Sequence, residues 1–126
     1  MESKLLFVYG ILKRGFPLDL EREGCKFLGE AVLQGANIYH IGSGVGLRIE
    51  DEGKVYGEVF KIPDRLWRWL DSIEGHPYNY RREIAEPILY KQGDAGIPVE
   101  AYIYVHQHPQ YFNGLIESGR FENAHL

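Results

Sequence analysis

A chain of 126 residues, 44% hydrophobic and 25% charged, carries enough apolar surface for one packed core and too much for a disordered segment, so a single domain over residues 1–126 is expected. A formal net charge of -4 excludes a general attraction to phosphate backbones or anionic lipid, so neither nucleic acid nor a membrane is expected as a partner. Cys25 is the single cysteine, which excludes an internal disulfide and a thiolate zinc cluster and favours a reducing compartment.

Leu5 to Tyr9 is short, apolar and aromatic and is closed by Gly10, the pattern of a strand buried on both faces. The run falls short of the roughly 7 to 15 residues of a signal-peptide core. No apolar stretch approaches the roughly 20 residues of a membrane span, so a cytoplasmic location is expected. Gly10 to Pro17 forms a loop, and Leu18 to Glu23 is expected to make a short helical turn stopped by Gly24. Phe27 to Ile41 suggests two strands joined by a turn or bulge, and Gly42 to Gly46 a mobile or tightly bent loop. Asp51-Glu52-Gly53 signals a hairpin turn between Leu47 to Glu50 and Lys54 to Ile62. Pro63-Asp64 opens the main helix, which runs to Ile73 or Glu74 and is ended by Gly75. Further strands are expected at Arg81 to Leu89 and Val99 to His106, with a turn-rich stretch from Gln92 to Pro98. The polar tail has Tyr111, Phe112, Leu115, Ile116 and Phe121 as its anchors. Several strands with one clear helix imply an α+β fold, a small mixed and strongly curved sheet or a β-barrel.

At about 100° per residue, Leu66, Trp67, Trp69, Leu70 and Ile73 share one arc of the helix, the arc expected to face the core. Glu74 breaks the pattern, because its direction falls between those of Trp67 and Leu70. An acid on the apolar side of the last turn should have a raised pKa, through desolvation and the negative end of the helix dipole. Such a group suits proton transfer near neutral pH. On the wheel alone two other readings stay open: a helix that frays before position 74, or a structural ion held by Arg81 or Arg82.

Three segments carry a resemblance: Val8-Tyr9-Gly10-Ile11-Leu12-Lys13-Arg14-Gly15, Gly57-Glu58-Val59-Phe60, and Leu70-Asp71-Ser72-Ile73-Glu74-Gly75 followed by Tyr80-Arg81-Arg82. In order and spacing they resemble the gamma-glutamyl cyclotransferase-like family, and Ile116-Glu117-Ser118-Gly119 is similar to the tail of its bacterial and archaeal members. The resemblance implies that Glu74 is the catalytic acid/base and that the loop of Tyr9, Gly10, Ile11 and Leu12 offers backbone amides to the substrate. Ile11 stands where the family usually has a hydroxyl residue, so a backbone contact survives there and a hydroxyl contact does not. The stretch from Gly42 to Leu47 lacks the proline often found in that part of the pocket wall.

The implied reaction is an intramolecular aminolysis: the α-amine of a gamma-glutamyl group attacks its own side-chain carbonyl, giving 5-oxoproline and a free amine. It calls for a small-molecule gamma-glutamyl amine or peptide, with no metal and no organic cofactor. The alternatives are a non-catalytic small-molecule binding domain of the same fold and a gamma-glutamyl acyl-group remover in a biosynthetic pathway.

Other residues carry weaker signals. His106-x-His108 puts two imidazoles on one side of a strand without a third ligand in sight, so solvated polar residues are the simpler reading. His76 lies close enough to Glu74 in sequence to tune it, although an exposed post-helix position is the simpler reading, and Lys13-Arg14 could attract an anionic substrate or belong to a merely solvated loop. Tyr9, Tyr78 and Tyr80 are candidates for a pocket wall, with plain packing an equal reading for Tyr78 and Tyr80, and Cys25 and the two tryptophans are candidates for the core.

Overall fold

Leu5–Val8 forms β1, an inner strand of a seven-stranded sheet, in a computed structural model that describes residues 4–42, 44–91 and 95–122. The other strands are β2 (Lys26–Ile41), β3 (Gly44–Lys61), β4 (Tyr80–Ala85), β5 (Ile88–Tyr90), β6 (Ile97–Pro98) and β7 (Ala101–His106). Their order is β4-β7-β1-β3-β2-β5-β6, with β1 parallel to β7 and every other pairing antiparallel. The sheet curls into an open half-barrel with β4 and β6 at its edges, which settles the choice between curved sheet and closed barrel.

Both faces of the sheet are covered at β1, and that explains why β1 is apolar at every position. Phe7 points with Val55, Val59 and Ile103 into the core inside the curl, where Ile116 and Phe121 of the tail also lie buried. Leu6 and Val8 point the other way, into a second core with Phe60, Leu20 and Leu70 of the helix. Tyr111 and Leu115, expected to anchor the tail, stay exposed. Phe112 instead stacks flat on Tyr39, with ring centroids 4.6 Å apart.

Several local expectations are corrected by long-range pairing. Residues 27–41 make one strand, β2, not two, and the glycine signal marks bulges: the β2–β3 register shifts between Phe27 and Gly29 and again between Gln34 and Ala36. At the second shift Gly35, with φ of 74°, stands against residues 50–53 of β3. Asp51-Glu52-Gly53 is therefore part of a wide bulge inside β3 and not a hairpin turn. The Asn37 amide holds the bulge, donating to Glu50 Oε1 at 2.9 Å and to the Glu52 carbonyl at 2.8 Å. Gly44, Val45 and Gly46 belong to β3 as well, which leaves Gly42 as the turn residue described there, and Ser43 lies outside the described residues.

The turn expected over residues 18–23 is not helical. Asp19, almost fully buried, accepts the amides of Gly15 and Glu21 on its two oxygens, a local bond that competes with helix formation. The strand expected over residues 81–89 is two strands, because Pro87 has no amide to donate: β4 pairs with β7, whereas β5 pairs with β2 across the sheet. Of the stretch from Gln92 to Pro98, residues 92–94 lie outside the described residues, and Ile97–Pro98 pair with β5.

Asp64–Leu66 form a 3₁₀ turn that leads into α1, Trp67–Glu74. Gly75 adopts the left-handed conformation, with φ of 67°, and ends the helix; its amide donates to the Ser72 carbonyl and that of His76 to the Asp71 carbonyl. Leu66 and Leu70 are buried and Trp67 and Trp69 partly so, whereas Ile73 is exposed. The inward line of the helix is thus Leu66, Leu70, Glu74, four residues apart, and Ile73 lies one step to its side. Leu70→Ala should destabilise the protein by about 3 kcal/mol, read from the denaturant midpoint, because Leu70 is fully enclosed. Among the described residues no helix is long and apolar enough to cross a membrane.

Candidate active site

β1 ends where the two cores meet, and the chain turns there. Tyr9, Gly10, Ile11 and Leu12 leave the strand and form one wall of a cavity of about 110 Å³, with Glu74 at the end of α1 on its margin. Tyr80 and Tyr104, from β4 and β7, and Val45, from β3, complete it. The structure brings every one of Tyr9, Gly10, Ile11, Leu12, Glu74 and Tyr80 to this one cavity, although the loop and the helix end lie more than sixty positions apart in sequence.

The loop is braced from its carbonyl side. Lys13 N donates to Gly10 O, Leu18 N to Ile11 O and Leu20 N to Leu12 O. Among the described residues, no turn, loop or side-chain acceptor takes the amides of Gly10, Ile11 or Leu12. Such a row of backbone donors suits an anionic or developing-anionic oxygen.

Glu74 is partly buried and, among the described residues, its carboxylate has no hydrogen-bond or ionic partner. Burial pushes its pKa from the ordinary carboxyl range up to about 7. The structural ion pair considered for it is absent, because Arg82 pairs with Asp71, Nη2 to Oδ2 at 3.5 Å. The phenols around Glu74 are already committed as donors. Tyr9 Oη donates to the Tyr104 carbonyl at 2.6 Å, Tyr80 Oη to the Val45 carbonyl at 2.7 Å, and Tyr104 Oη to Asp71 Oδ1 at 2.7 Å. Burial first of all, with a smaller push from Glu74, raises each of these phenols above its ordinary range, so they stay neutral. Glu74 is left as the described wall residue able to exchange a proton near neutral pH.

Tyr104 and Val45 were missed by sequence reasoning. Tyr104 sits in an ordinary strand pattern, and Val45 lies in a glycine-rich stretch that reads as a loop. Conversely, several candidates are elsewhere. Lys13 Nζ donates to the Phe121 carbonyl at 2.6 Å, and Arg14 donates its amide to Glu58 while its guanidinium lies 3.5 Å from the Phe27 ring centroid. Neither lines the Glu74 cavity. Tyr78 is exposed, and His76 Nδ1 accepts the amide of Arg82. His106 packs edge-on against Tyr80, and among the described residues no third His, Cys, Asp or Glu joins it and His108 in a metal-holding group. Cys25 is buried, as expected for a core residue.

Comparison with known proteins identifies the family. The family described as gamma-glutamyl cyclotransferase, AIG2-like, matches residues 6–123. A candidate gamma-glutamylcyclotransferase of Methanocaldococcus jannaschii is 29% identical over 94% of this chain and 95% of its own. The gamma-glutamylaminecyclotransferase of Bos taurus is 32% identical over 79% of this chain and 63% of its own. Among solved structures, an uncharacterized protein of Pyrococcus horikoshii superposes with a TM-score of 0.72 at 26% identity, covering 97% of this chain and 92% of that one. An AIG2-like protein of Mus musculus shares the fold with the same TM-score of 0.72 at 21% identity, over 97% of each chain. With its sequence matched nearly from end to end and its half-barrel shared with these structures, the chain belongs to the gamma-glutamyl cyclotransferase, AIG2-like family.

Proposed function

We propose that the protein is a cyclotransferase that converts a gamma-glutamyl amine or gamma-glutamyl peptide into 5-oxoproline and the free amine, with Glu74 as general acid/base. The observation that carries this reading is the partnerless Glu74 carboxyl, held near pKa 7 beside the Tyr9 to Leu12 loop. The substrate's α-ammonium gives a proton to ionised Glu74, and the freed amine attacks the γ-carbonyl carbon of the same molecule. A C–N bond closes the five-membered ring, and the carbonyl electrons move onto oxygen. The new ring nitrogen still carries a surplus proton. Collapse of the oxyanion expels the original amine, which takes the first proton back from Glu74. The carboxylate so restored removes the surplus proton from the ring nitrogen and passes it to the departing amine, which leaves as an ammonium ion.

One carboxyl near neutrality serves both transfers, since it is neither too weak a base for the first nor too weak an acid for the second. The reaction as written consumes no cofactor. Amides of residues 10–12 supply the donors for the substrate carboxylate or the oxyanion, and the rigid phenol-lined wall selects the folded-back rotamer that brings nitrogen to carbon. The test is incubation with a panel of gamma-glutamyl amines and dipeptides and direct detection of 5-oxoproline. Release from at least one member of the panel is expected, and a panel that yields none overturns the reading.

The loop makes a sharper prediction. A Cβ on Gly10 would lie 2.8 Å from Val45 Cγ1, across the cavity wall. Gly10→Val should therefore lower kcat/KM by about 100-fold through misplacement of the wall. Ile11→Thr keeps the backbone path and should stay near wild type. Equal activity in wild type and Gly10→Val would remove the loop from the site.

A further inference from the structure

Asp71 and Glu74 stand three residues apart on α1, so they occupy neighbouring positions of one helix face. Their surroundings differ. Asp71 is tied on both oxygens: Oδ2 to Arg82 Nη2 at 3.5 Å, and Oδ1 to the hydroxyl of Tyr104 at 2.7 Å. Glu74 has neither partner, although Tyr104 lines its cavity. Arg82 is fixed from further directions as well. Its guanidinium lies 4.7 Å from the Trp67 ring centroid and 4.8 Å from that of Tyr102, and its amide donates to His76 Nδ1.

We propose that Asp71 is a positioning residue, one that captures the Arg82 guanidinium and the Tyr104 hydroxyl and so keeps Glu74 free of any partner in the cavity. Its importance for turnover rests on the reading of Glu74 as the proton-transfer group, but the electrostatic claim does not need turnover to be tested. The groups around Glu74 define the balance. Tyr9 just after β1, Tyr80 from β4 and Tyr104 from β7 are neutral phenols with committed protons, and β3 contributes Gly44 and Val45, which carry no charge. His106 packs behind Tyr80, and His76 uses its Nδ1 on the Arg82 amide. Asp71 lies one turn back on α1, and its charge is offset by that of Arg82.

Removing one member of the pair exposes the other. Asp71→Asn keeps an oxygen to accept from Tyr104 but leaves the guanidinium uncompensated, which favours ionised Glu74 and lowers its titration midpoint by about one pH unit. Arg82→Met keeps packing against Trp67 and Tyr102 but leaves the Asp71 carboxylate as a like charge, which raises the Glu74 midpoint. The double variant should return towards wild type. A merely structural role for the pair would weaken the fold in both single variants without moving the acid in opposite directions.

The experiment is a carbon-13 NMR titration of the Glu74 carboxyl in the full chain, without substrate, for wild type, both single variants and the double variant. Opposed shifts that cancel in the double variant support the inference. An unchanged midpoint in both single variants, or shifts of the same sign, overturns it. If Asp71→Asn does not fold, the upward shift in Arg82→Met decides the matter alone. The pH profile of 5-oxoproline release separates the two readings: midpoints that shift while the rate profile stays in place count against Glu74 as the acid/base and leave the role of Asp71 standing.

Discussion

Glu74→Gln should abolish 5-oxoproline release while leaving the protein equally or more stable at neutral pH. Gln keeps the size of the side chain and removes the exchangeable proton, so both proton transfers are lost together. The stability sign follows from linkage. Burial raises the folded pKa of Glu74 to about 7, above its unfolded value of about 4.3. The proton-linked stabilisation is therefore fully present below the unfolded value and is lost as pH rises through the folded one. By neutral pH roughly half of the molecules carry an ionised, desolvated carboxylate. Above that the full cost is about 2 kcal/mol, after a discount for the solvent that reaches this partly buried group. The measurement is paired: 5-oxoproline release, and Tm at acidic and at neutral pH, for wild type and variant. An active Gln variant would refute the catalytic assignment. An inactive variant much less stable at neutral pH would mean that the charge of Glu74 has a structural partner after all.

Gly57→Ala should be the most damaging single-methyl change in the sheet. Gly57 sits on β3 beside β1, and an added Cβ would stand 2.2 Å from the Val8 carbonyl oxygen and 2.8 Å from the Phe7 ring. The obstacle is backbone in the middle of the sheet, which cannot swing aside as a flexible side chain would. The two strands must part, at a cost of about 3 kcal/mol. Activity should fall too, because Val8 leads directly into the Tyr9 to Leu12 loop whose position depends on the same strand pair. Denaturant midpoints and 5-oxoproline rates for the two proteins check this. A variant of wild-type stability would mean that the β1–β3 spacing relaxes freely.

The inward direction of Glu74 was legible in the sequence, since helical phase is a local property: about 100° per residue from Leu66 and Leu70 leads to position 74 whatever the rest of the chain does. Gly75 ends the helix for an equally local reason, the freedom of glycine to adopt a left-handed conformation. The apolar run of β1 announced a strand covered on both faces, and the ordered motifs led from there to the family. Pairing was beyond local reading. A Gly-containing turn signal such as Asp51-Glu52-Gly53 has the same appearance in a hairpin and in a bulge, and it became a bulge because β2 continues opposite on both sides of it.

The same limit decided the electrostatics. Lys13 and Arg14 look free in sequence, yet their partners Phe121 and Glu58 lie 108 and 44 residues away. Arg82 could have met either carboxylate of α1, and the tertiary structure gave it to Asp71. Whether Glu74 is a structural ion or an unpaired acid therefore depended on contacts formed only when β4, β7 and α1 close around one cavity. A local pattern sets the direction of a side chain, but its pKa is set by everything that is, or is not, packed against it.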